Sequence, residues 1–214
     1  MELNNTQIEN YFQSPIWIED KKEFLKDSIK NTEKHIKEAK LNFKEIDKKN
    51  NNFGFSYHSG PIQFDSNFKQ LVDYIGNRSK DFLGWQGYDL KNHMLIFTEM
   101  WVQEFAKKGG GHHDTHVHYN NHVSGFYFLK CSEKTSYPIF HDPRPGSVMT
   151  KLPLKDQRQI SYGLEAVNFK VKPGTMILFN SYVPHQFALD HGKEPFRFIH
   201  WNIQAIPDGK FRNQ

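Results

Sequence analysis

Between residues 93 and 206 the chain is a succession of short segments rich in β-branched and aromatic residues. Gly, Pro or Asn residues separate these segments, as expected for short strands that are joined by turns. The segments read HMLIFTEMWVQEFA, HVSGFYFLK, YPIFH, VNFKVKPG, TMILFN and PFRFIHWNIQAI. This pattern predicts that the second half of the molecule consists of β-strands.

Two amphipathic helices are predicted before these strands. One extends from Asp20 to about Lys49 and ends at the sequence NNNFG, and the other begins at Asp65 or Ser66, either of which can cap a helix. A short edge strand is predicted in the opening stretch YFQSPIWIED. The apolar stripes of the helices comprise Leu25, Ile29, Ile36, Ala39, Phe43 and Ile46 in the first and Phe68, Leu71, Val72, Ile75 and Phe82 in the second.

Two helices followed by about eight short strands predict an α+β protein. We expect the strands to form a jelly-roll or cupin-like core, with the two N-terminal helices buttressing one sheet. The length of 214 residues suits one domain, with a helical part over residues 1–90 and the jelly-roll core over residues 91–207. Residues 144–162 have little periodicity and are predicted to form a long loop, which in compact domains often serves as a lid.

Composition narrows the classes of partner. The net charge of +4 arises in residues 21–50, where ten Lys face six Asp and Glu, and such alternating charges are typical of a solvated helix face. We therefore expect no nucleic-acid partner. The single Cys131 excludes an internal disulfide, the opening MELNNTQIENYF does not resemble a signal peptide, and no apolar run approaches the ~20 residues of a membrane helix. The cytoplasm is the expected location, and the oligomeric state is left open.

The stretch GGGHHDTHVHYNNHVSGFYFL contains five of the twelve histidines. Residues i and i+2 of a strand share a face, so HVH predicts that His116 and His118 project together. His112 and Asp114 offer the same arrangement one step earlier. Two ligands on one strand are half of a metal site.

The other half of the site is expected in KPGTMILFNSYVPHQF, where His185 follows an apolar strand. Twelve residues later, Arg197 in PFRFIHWN is predicted to project into the barrel as a fork for a dicarboxylate. Each of these features alone is weak evidence. Three imidazole ligands, open coordination positions and a carboxylate clamp together are the parts of a non-haem Fe(II) oxygenase site.

These stretches, together with FHDPR and RFIHWN, resemble the 2-oxoglutarate- and Fe(II)-dependent oxygenases, in particular the prolyl-hydroxylase-like branch of small, often phage-encoded proteins. The resemblance implies a double-stranded β-helix core and extends over roughly residues 95 to 205. It implies that His116 and His185 bind the metal and that Arg197 binds the tail of 2-oxoglutarate. Where most of the family has Asp or Glu, this chain has His118, and we favour His118 as the third ligand.

Two alternative carboxylates remain open for the metal site. Asp114, with His112 as first ligand, would restore the family's usual pattern. Asp142 in HDPR is the other, although an ion pair with Arg144 is the simpler interpretation. The resemblance further implies that a hydroxyl of Ser124 or Tyr127 contacts 2-oxoglutarate.

By resemblance, the protein is an Fe(II)- and 2-oxoglutarate-dependent dioxygenase that uses O2, with ascorbate as a supporting reductant. It would hydroxylate a C–H bond of a small molecule, peptide or protein, with peptidyl proline as the first substrate to test. If the gene is carried by a phage, the location is the host cytoplasm. Two alternatives are a cupin-like metalloenzyme that does not use 2-oxoglutarate and a non-catalytic jelly-roll binding module.

Overall fold

A computed structural model of the chain describes residues 7, 9–50, 56–149 and 152–209, without the side chains of 44–50 and 147–148. This part contains ten strands and three α-helices, with short 3-10 helices at Lys22–Phe24 and Ser66–Phe68. The helices are α1 (Leu25–Asn50), α2 (Lys69–Trp85) and α3 (Pro145–Met149). The strands are β1 (Ile16–Asp20), β2 (Ser56–His58), β3 (His93–Phe105), β4 (His113–His116), β5 (Val123–Lys130), β6 (Pro138–His141), β7 (Ala166–Asn168), β8 (Thr175–Asn180), β9 (His185–Phe187) and β10 (Arg197–Pro207).

The strands form two antiparallel sheets. The larger sheet has the order β1-β8-β5-β10-β3-β2, and the smaller sheet has the order β4-β9-β6-β7. The eight strands from β3 to β10 thus divide four and four between the sheets, which is the jelly-roll arrangement of a double-stranded β-helix. The predicted α+β fold with this core is confirmed.

The central strands β5, β8 and β10 of the larger sheet are buried on both faces. The outer face of the sheet packs against α1 and α2 in a cluster that includes Ile36, Ile75 and Trp201, and its inner face contributes to a core in which Phe side chains predominate. Trp201 fits against the sheet because Gly125 has no side chain, since a Cβ atom at Gly125 would lie 2.2 Å from the Trp201 ring. The inner phenylalanines fill the space between the two sheets.

The N-terminal half agrees with the sequence predictions in most respects. The predicted edge strand is β1, which pairs with β8. The first helix begins at Leu25, later than predicted, because the chain first completes β1 and a 3-10 turn. Asp65 is confirmed as a cap, since its Oδ1 accepts a hydrogen bond of 3.0 Å from the Asn67 N–H. The side chain of Ile46 and residues 51–54 of NNNFG lie outside the described residues.

Two strands of the metal-binding region differ from the predictions. β4 ends at His116, so that His118 follows the strand, and His185 begins the short strand β9, which was not predicted. In the predicted loop 144–162, five residues form α3, and the other described residues have no regular structure. None of the helices within the described ranges has the length and apolar character that a bilayer span requires.

Candidate metal centre

The fold brings three histidines together at one end of the barrel. His116 ends β4 and is the Cα partner of His185 at the start of β9. His118 is held two residues further on, where its backbone N–H donates a hydrogen bond of 3.0 Å to the carbonyl of Ser181. The ring centroids lie 4.4 to 5.0 Å apart, and one ligand atom of each ring lies within 4.8 Å of the other two. We call these three residues the histidine cluster.

Backbone carbonyls orient two of the three rings. The Nδ1–H of His116 donates to the carbonyl of Asp114 at 2.7 Å, and the Nδ1–H of His185 donates to the carbonyl of Val183 at 2.9 Å. Because a carbonyl only accepts, both neutral rings carry their hydrogen on Nδ1 and keep a lone pair on Nε2. The Nε2 atom of His185 is buried and has no hydrogen-bond partner among the described residues. Metal-binding histidines commonly have this arrangement, in which one ring nitrogen donates a hydrogen bond and the other keeps its lone pair for the metal.

Burial keeps His118 and His185 uncharged at neutral pH. It lowers the pKa of His185 to about 3 and the pKa of His118 to about 4, and the neighbouring imidazoles act in the same direction. The ring of His185 packs against Phe126 and Phe179, with centroids 5.6 and 4.7 Å away. Neutral imidazoles in a dry pocket can donate their lone pairs to a divalent metal ion.

The alternative carboxylates lie away from the cluster. The side chain of Asp114 is 96% exposed and lies 3.6 Å from His112. Asp142 forms an ion pair of 2.7 Å with Arg144, as the simpler interpretation predicted. Among the described residues, the group able to hold a metal ion therefore comprises three imidazoles and no carboxylate.

Arg197 does not project into the barrel as predicted. Its guanidinium lies on the outer face of the larger sheet, where it bonds Glu104 at 2.5 Å and Glu33 of α1 at 2.9 Å. It is 2% exposed and is the only buried Lys or Arg among the described residues. Both of its partners are carboxylates, so its charge is already neutralised. Arg197 therefore does not fit the tail of a 2-oxoglutarate molecule at the histidine cluster.

The two predicted hydroxyl contacts also have other partners. Tyr127 is on the outer face, where its hydroxyl donates a hydrogen bond of 2.6 Å to the carbonyl of Lys21. Ser124 is on the inner face, but its hydroxyl donates to Oδ1 of Asn202 at 2.5 Å and contacts the Ser181 hydroxyl at 2.8 Å. Hydrogen bonds through Asn202 therefore link Ser124 to the histidine cluster, whereas Tyr127 lies on the other face of the sheet.

Two residues of β10 that the sequence analysis did not select contact the cluster. Asn202 lies 3.0 Å from Nδ1 of His118, and the His200 ring lies 4.7 Å from the His118 ring. The signal was available in RFIHWN, where period-2 alternation places His200 and Asn202 on the face opposite Arg197. His200 is fully buried, and its Nδ1–H donates to the carbonyl of Gly125 at 3.0 Å.

Residues 99–198 match the family model described as "Putative 2OG-Fe(II) oxygenase". Among curated proteins, no significant match is found.

Several solved structures resemble the chain at low identity. They include a 2OG-Fe(II) oxygenase family oxidoreductase from Burkholderia pseudomallei, at 10% identity over 70% of this chain and 68% of that chain with a TM-score of 0.48. AviO1 from Streptomyces viridochromogenes Tue57 shares 12% identity over 72% and 69%, with a TM-score of 0.49. A prolyl hydroxylase from Trichoplax adhaerens, in complex with a peptide fragment of hypoxia inducible factor, shares 13% over 87% and 82%, with a TM-score of 0.48.

The family match covers the part of the chain that carries the site. It begins in β3, includes all three members of the histidine cluster and ends in β10. The cofactors of this family are Fe(II) and 2-oxoglutarate, and its members are oxygenases. Over residues 99–198, just under half of its length, the chain is similar to the 2OG-Fe(II) oxygenase family.

Proposed function

We propose that this protein is an Fe(II)- and 2-oxoglutarate-dependent dioxygenase that hydroxylates a C–H bond, with iron bound by His116, His118 and His185. The observation that carries the proposal is the convergence of three ligand atoms within 4.8 Å at the mouth of a jelly-roll barrel. Imidazole nitrogen suits iron. Three protein ligands on one face of the metal leave coordination positions open for co-substrate and oxygen. The reducing cytoplasm is the proposed location.

The chain's own contribution is to hold and shield the metal. Asp114 and Val183 contribute backbone carbonyls that orient the rings of His116 and His185. Phe126, Phe140 and Phe179 surround His185 and exclude water from that side. When bound, Fe(II) would activate O2 with electrons from 2-oxoglutarate, while the protein supplies the geometry and an apolar surrounding.

A cupin-like metalloenzyme that does not use 2-oxoglutarate is the second candidate. It is favoured by the orientation of Arg197, whose guanidinium is occupied by Glu33 and Glu104 on the other face of the sheet. No other buried Lys or Arg occurs among the described residues to receive a distal carboxylate. Among the described residues, 2-oxoglutarate in this site would therefore find no buried Lys or Arg to pair with its distal carboxylate.

The substrate is proposed to enter beside β6. A cavity of about 530 Å³ lies there, lined in part by Phe140 and Val183, which also contact His185, and by Arg144 and Tyr162. The last two residues mark the ends of the predicted loop, so the loop borders the cavity as a lid would. Peptidyl proline is the first substrate to test, on the basis of the resemblance. If the loop closes, 2-oxoglutarate and substrate together will protect it from proteolysis.

The main test is succinate formation. Protein reconstituted anaerobically with Fe(II) and 2-oxoglutarate is exposed to oxygen, with and without candidate peptides, and succinate and hydroxylated product are measured. We expect equal amounts of the two, with loss of iron and turnover in His118→Ala and no loss in Asp114→Ala, whose exposed side chain serves as the matched control. Loss of iron in Asp114→Ala but not in His118→Ala would contradict the proposed ligand set.

A second measurement separates the two candidate functions. Under anaerobic conditions, chelation of Fe(II) by 2-oxoglutarate gives a visible metal-to-ligand absorption band. The band should appear on adding 2-oxoglutarate to iron-loaded protein. If iron binds but no band forms and oxygen uptake does not depend on 2-oxoglutarate, the second candidate is correct.

A further inference from the structure

A buried polar network extends from the surface to the histidine cluster. The Nδ2 of Asn202 donates to Oε1 of Glu99 at 2.6 Å and lies 3.0 Å from Nδ1 of His118. Oδ1 of Asn202 accepts from the Ser124 hydroxyl, which also contacts the Ser181 hydroxyl. Asn202, Ser124 and Ser181 are completely buried, whereas Glu99 is exposed.

The charge of Glu99 determines which way the Asn202 amide points. A carboxylate only accepts hydrogen bonds, so the atom of Asn202 that faces Glu99 is the NH2 group. The same NH2 group faces His118, and its second hydrogen points at Nδ1. Therefore Nδ1 of His118 is an acceptor, and the neutral ring carries its hydrogen on Nε2.

His118 thus differs from the other two members of the cluster. His116 and His185 donate from Nδ1 to carbonyl groups and present Nε2 lone pairs, whereas His118 has its lone pair on the atom that Asn202 already occupies. The Nε2 of His118 is buried and has no partner among the described residues. A hydrogen on that atom blocks it as a ligand.

We propose that Asn202 is the positioning residue that controls metal binding by His118, and that ligation through Nε2 requires the Asn202 amide to reverse. This inference rests on the metal site proposed above. After reversal, Oδ1 accepts from Nδ1–H of His118 and the NH2 group donates to Ser124. The Ser124 and Ser181 hydroxyls can reverse their hydrogen bonds at little cost because each can donate or accept. Only Glu99 opposes the change, since its carboxylate then faces an amide oxygen.

The test is the affinity of Glu99→Gln for Co(II), measured by competition with a chromophoric chelator. Glutamine can donate to or accept from Asn202, so this variant removes the opposition to reversal. We expect Co(II) to bind about 10-fold more tightly. Residues that hydrogen-bond to metal ligands typically change metal affinity by about 10- to 100-fold, and this value is the lower end of that range. Simple electrostatics predicts the opposite sign, because the substitution removes a negative charge near the metal. Unchanged or weaker binding by Glu99→Gln would overturn the proposal.

Asn202→Asp provides a second measurement. Its carboxylate accepts from Nδ1–H of His118 and keeps Nε2 available, so Co(II) should again bind more tightly. Asn121→Asp is the matched control, because Asn121 bonds Thr98 and the Tyr119 carbonyl and not the cluster. If Asn202→Asp and Asn121→Asp increase the Co(II) affinity equally, the added negative charge alone explains the increase, and the proposed role of Asn202 is wrong.

The same titration separates this proposal from the proposed function. If the wild-type protein binds Co(II), and His185→Ala abolishes that binding, the metal site stands whatever the Glu99→Gln result. If the wild-type protein does not bind Co(II), or His185→Ala binds it equally well, the metal site and the role of Asn202 are both wrong.

Discussion

Replacing Arg197 by Met should reduce stability and leave 2-oxoglutarate binding intact. Arg197 joins β10 to α1, since its guanidinium contacts Glu104 at 2.5 Å and Glu33 at 2.9 Å while only 2% of the side chain is exposed. Removing one partner of a buried ion pair costs about 3 to 5 kcal/mol. The lower end applies here because Glu104 keeps a second partner, Lys40, at 2.5 Å.

A loss of about 3 kcal/mol corresponds to a fall in melting temperature of about 6 to 12 °C for a chain of this size. Calorimetry of the wild-type and Arg197→Met proteins measures this fall, and anaerobic titration of the iron-loaded proteins with 2-oxoglutarate measures co-substrate affinity. The double variant Arg197→Met with Glu104→Met should recover part of the stability, because apolar pairs often replace buried ion pairs without loss. A variant that melts like the wild type but no longer binds 2-oxoglutarate would show that Arg197 is the clamp after all.

The contacts of Tyr127, Gly125 and Asp65 each determine how a substitution at that position should change stability. Tyr127→Phe loses the 2.6 Å bond to the Lys21 carbonyl, so the free energy of unfolding should fall by about 1 kcal/mol in urea titrations. The affinity for 2-oxoglutarate should not change, and a change would indicate that the Tyr127 hydroxyl contacts 2-oxoglutarate. Gly125→Ala should lose about 1 to 3 kcal/mol, because its Cβ would lie 2.2 Å from Trp201, and an unchanged melting temperature would contradict this packing. A neighbouring lysine ammonium holds the pKa of Asp65 well below its usual range, so the resulting stability is present above about pH 4 and is lost as pH falls. Urea titrations from pH 5 to pH 2 should therefore show a smaller loss for Asp65→Asn than for the wild type, and parallel losses would refute the role of Asp65.

The elements and the histidine cluster were predictable because their signals are local or add together. The helical stripes and the period-2 segments identify α1, α2 and most strands within a few residues. The HVH spacing identifies His116 and His118, and the apolar strand before His185 points to the third histidine. Strand β9 was missed because it has three residues and is defined by pairing with β4 and β6, which are distant in the chain.

The orientation of Arg197 was not predictable from hydrophobicity. Alternation along RFIHWN predicts that Arg197 and His200 lie on opposite faces of β10. It does not predict which face is the interior, because both faces are apolar. One face carries Phe198 toward the barrel interior, and the other carries Trp201 toward the helices. A strand buried on both faces reads as one continuous hydrophobic run, so the sequence does not reveal which face is the interior. That choice depends on α1, whose Glu33 receives the guanidinium.

The charge of the proposed metal site can explain two features together. The histidine cluster contains no carboxylate, and Arg197 lies on the outer face of the larger sheet. In a site with two histidines and one carboxylate, a divalent metal retains one positive charge, and an arginine supplies the second that a dianionic co-substrate requires. In the proposed site the three neutral histidines leave both charges on the metal, so the dianion is neutralised without an arginine. Because buried unpaired charges are costly, a chain that replaces the carboxylate by His118 has less need of a cation in the barrel. Arg197 is then available to attach α1 to the sheet. The same reasoning predicts that His118→Asp weakens 2-oxoglutarate binding even where it preserves metal binding.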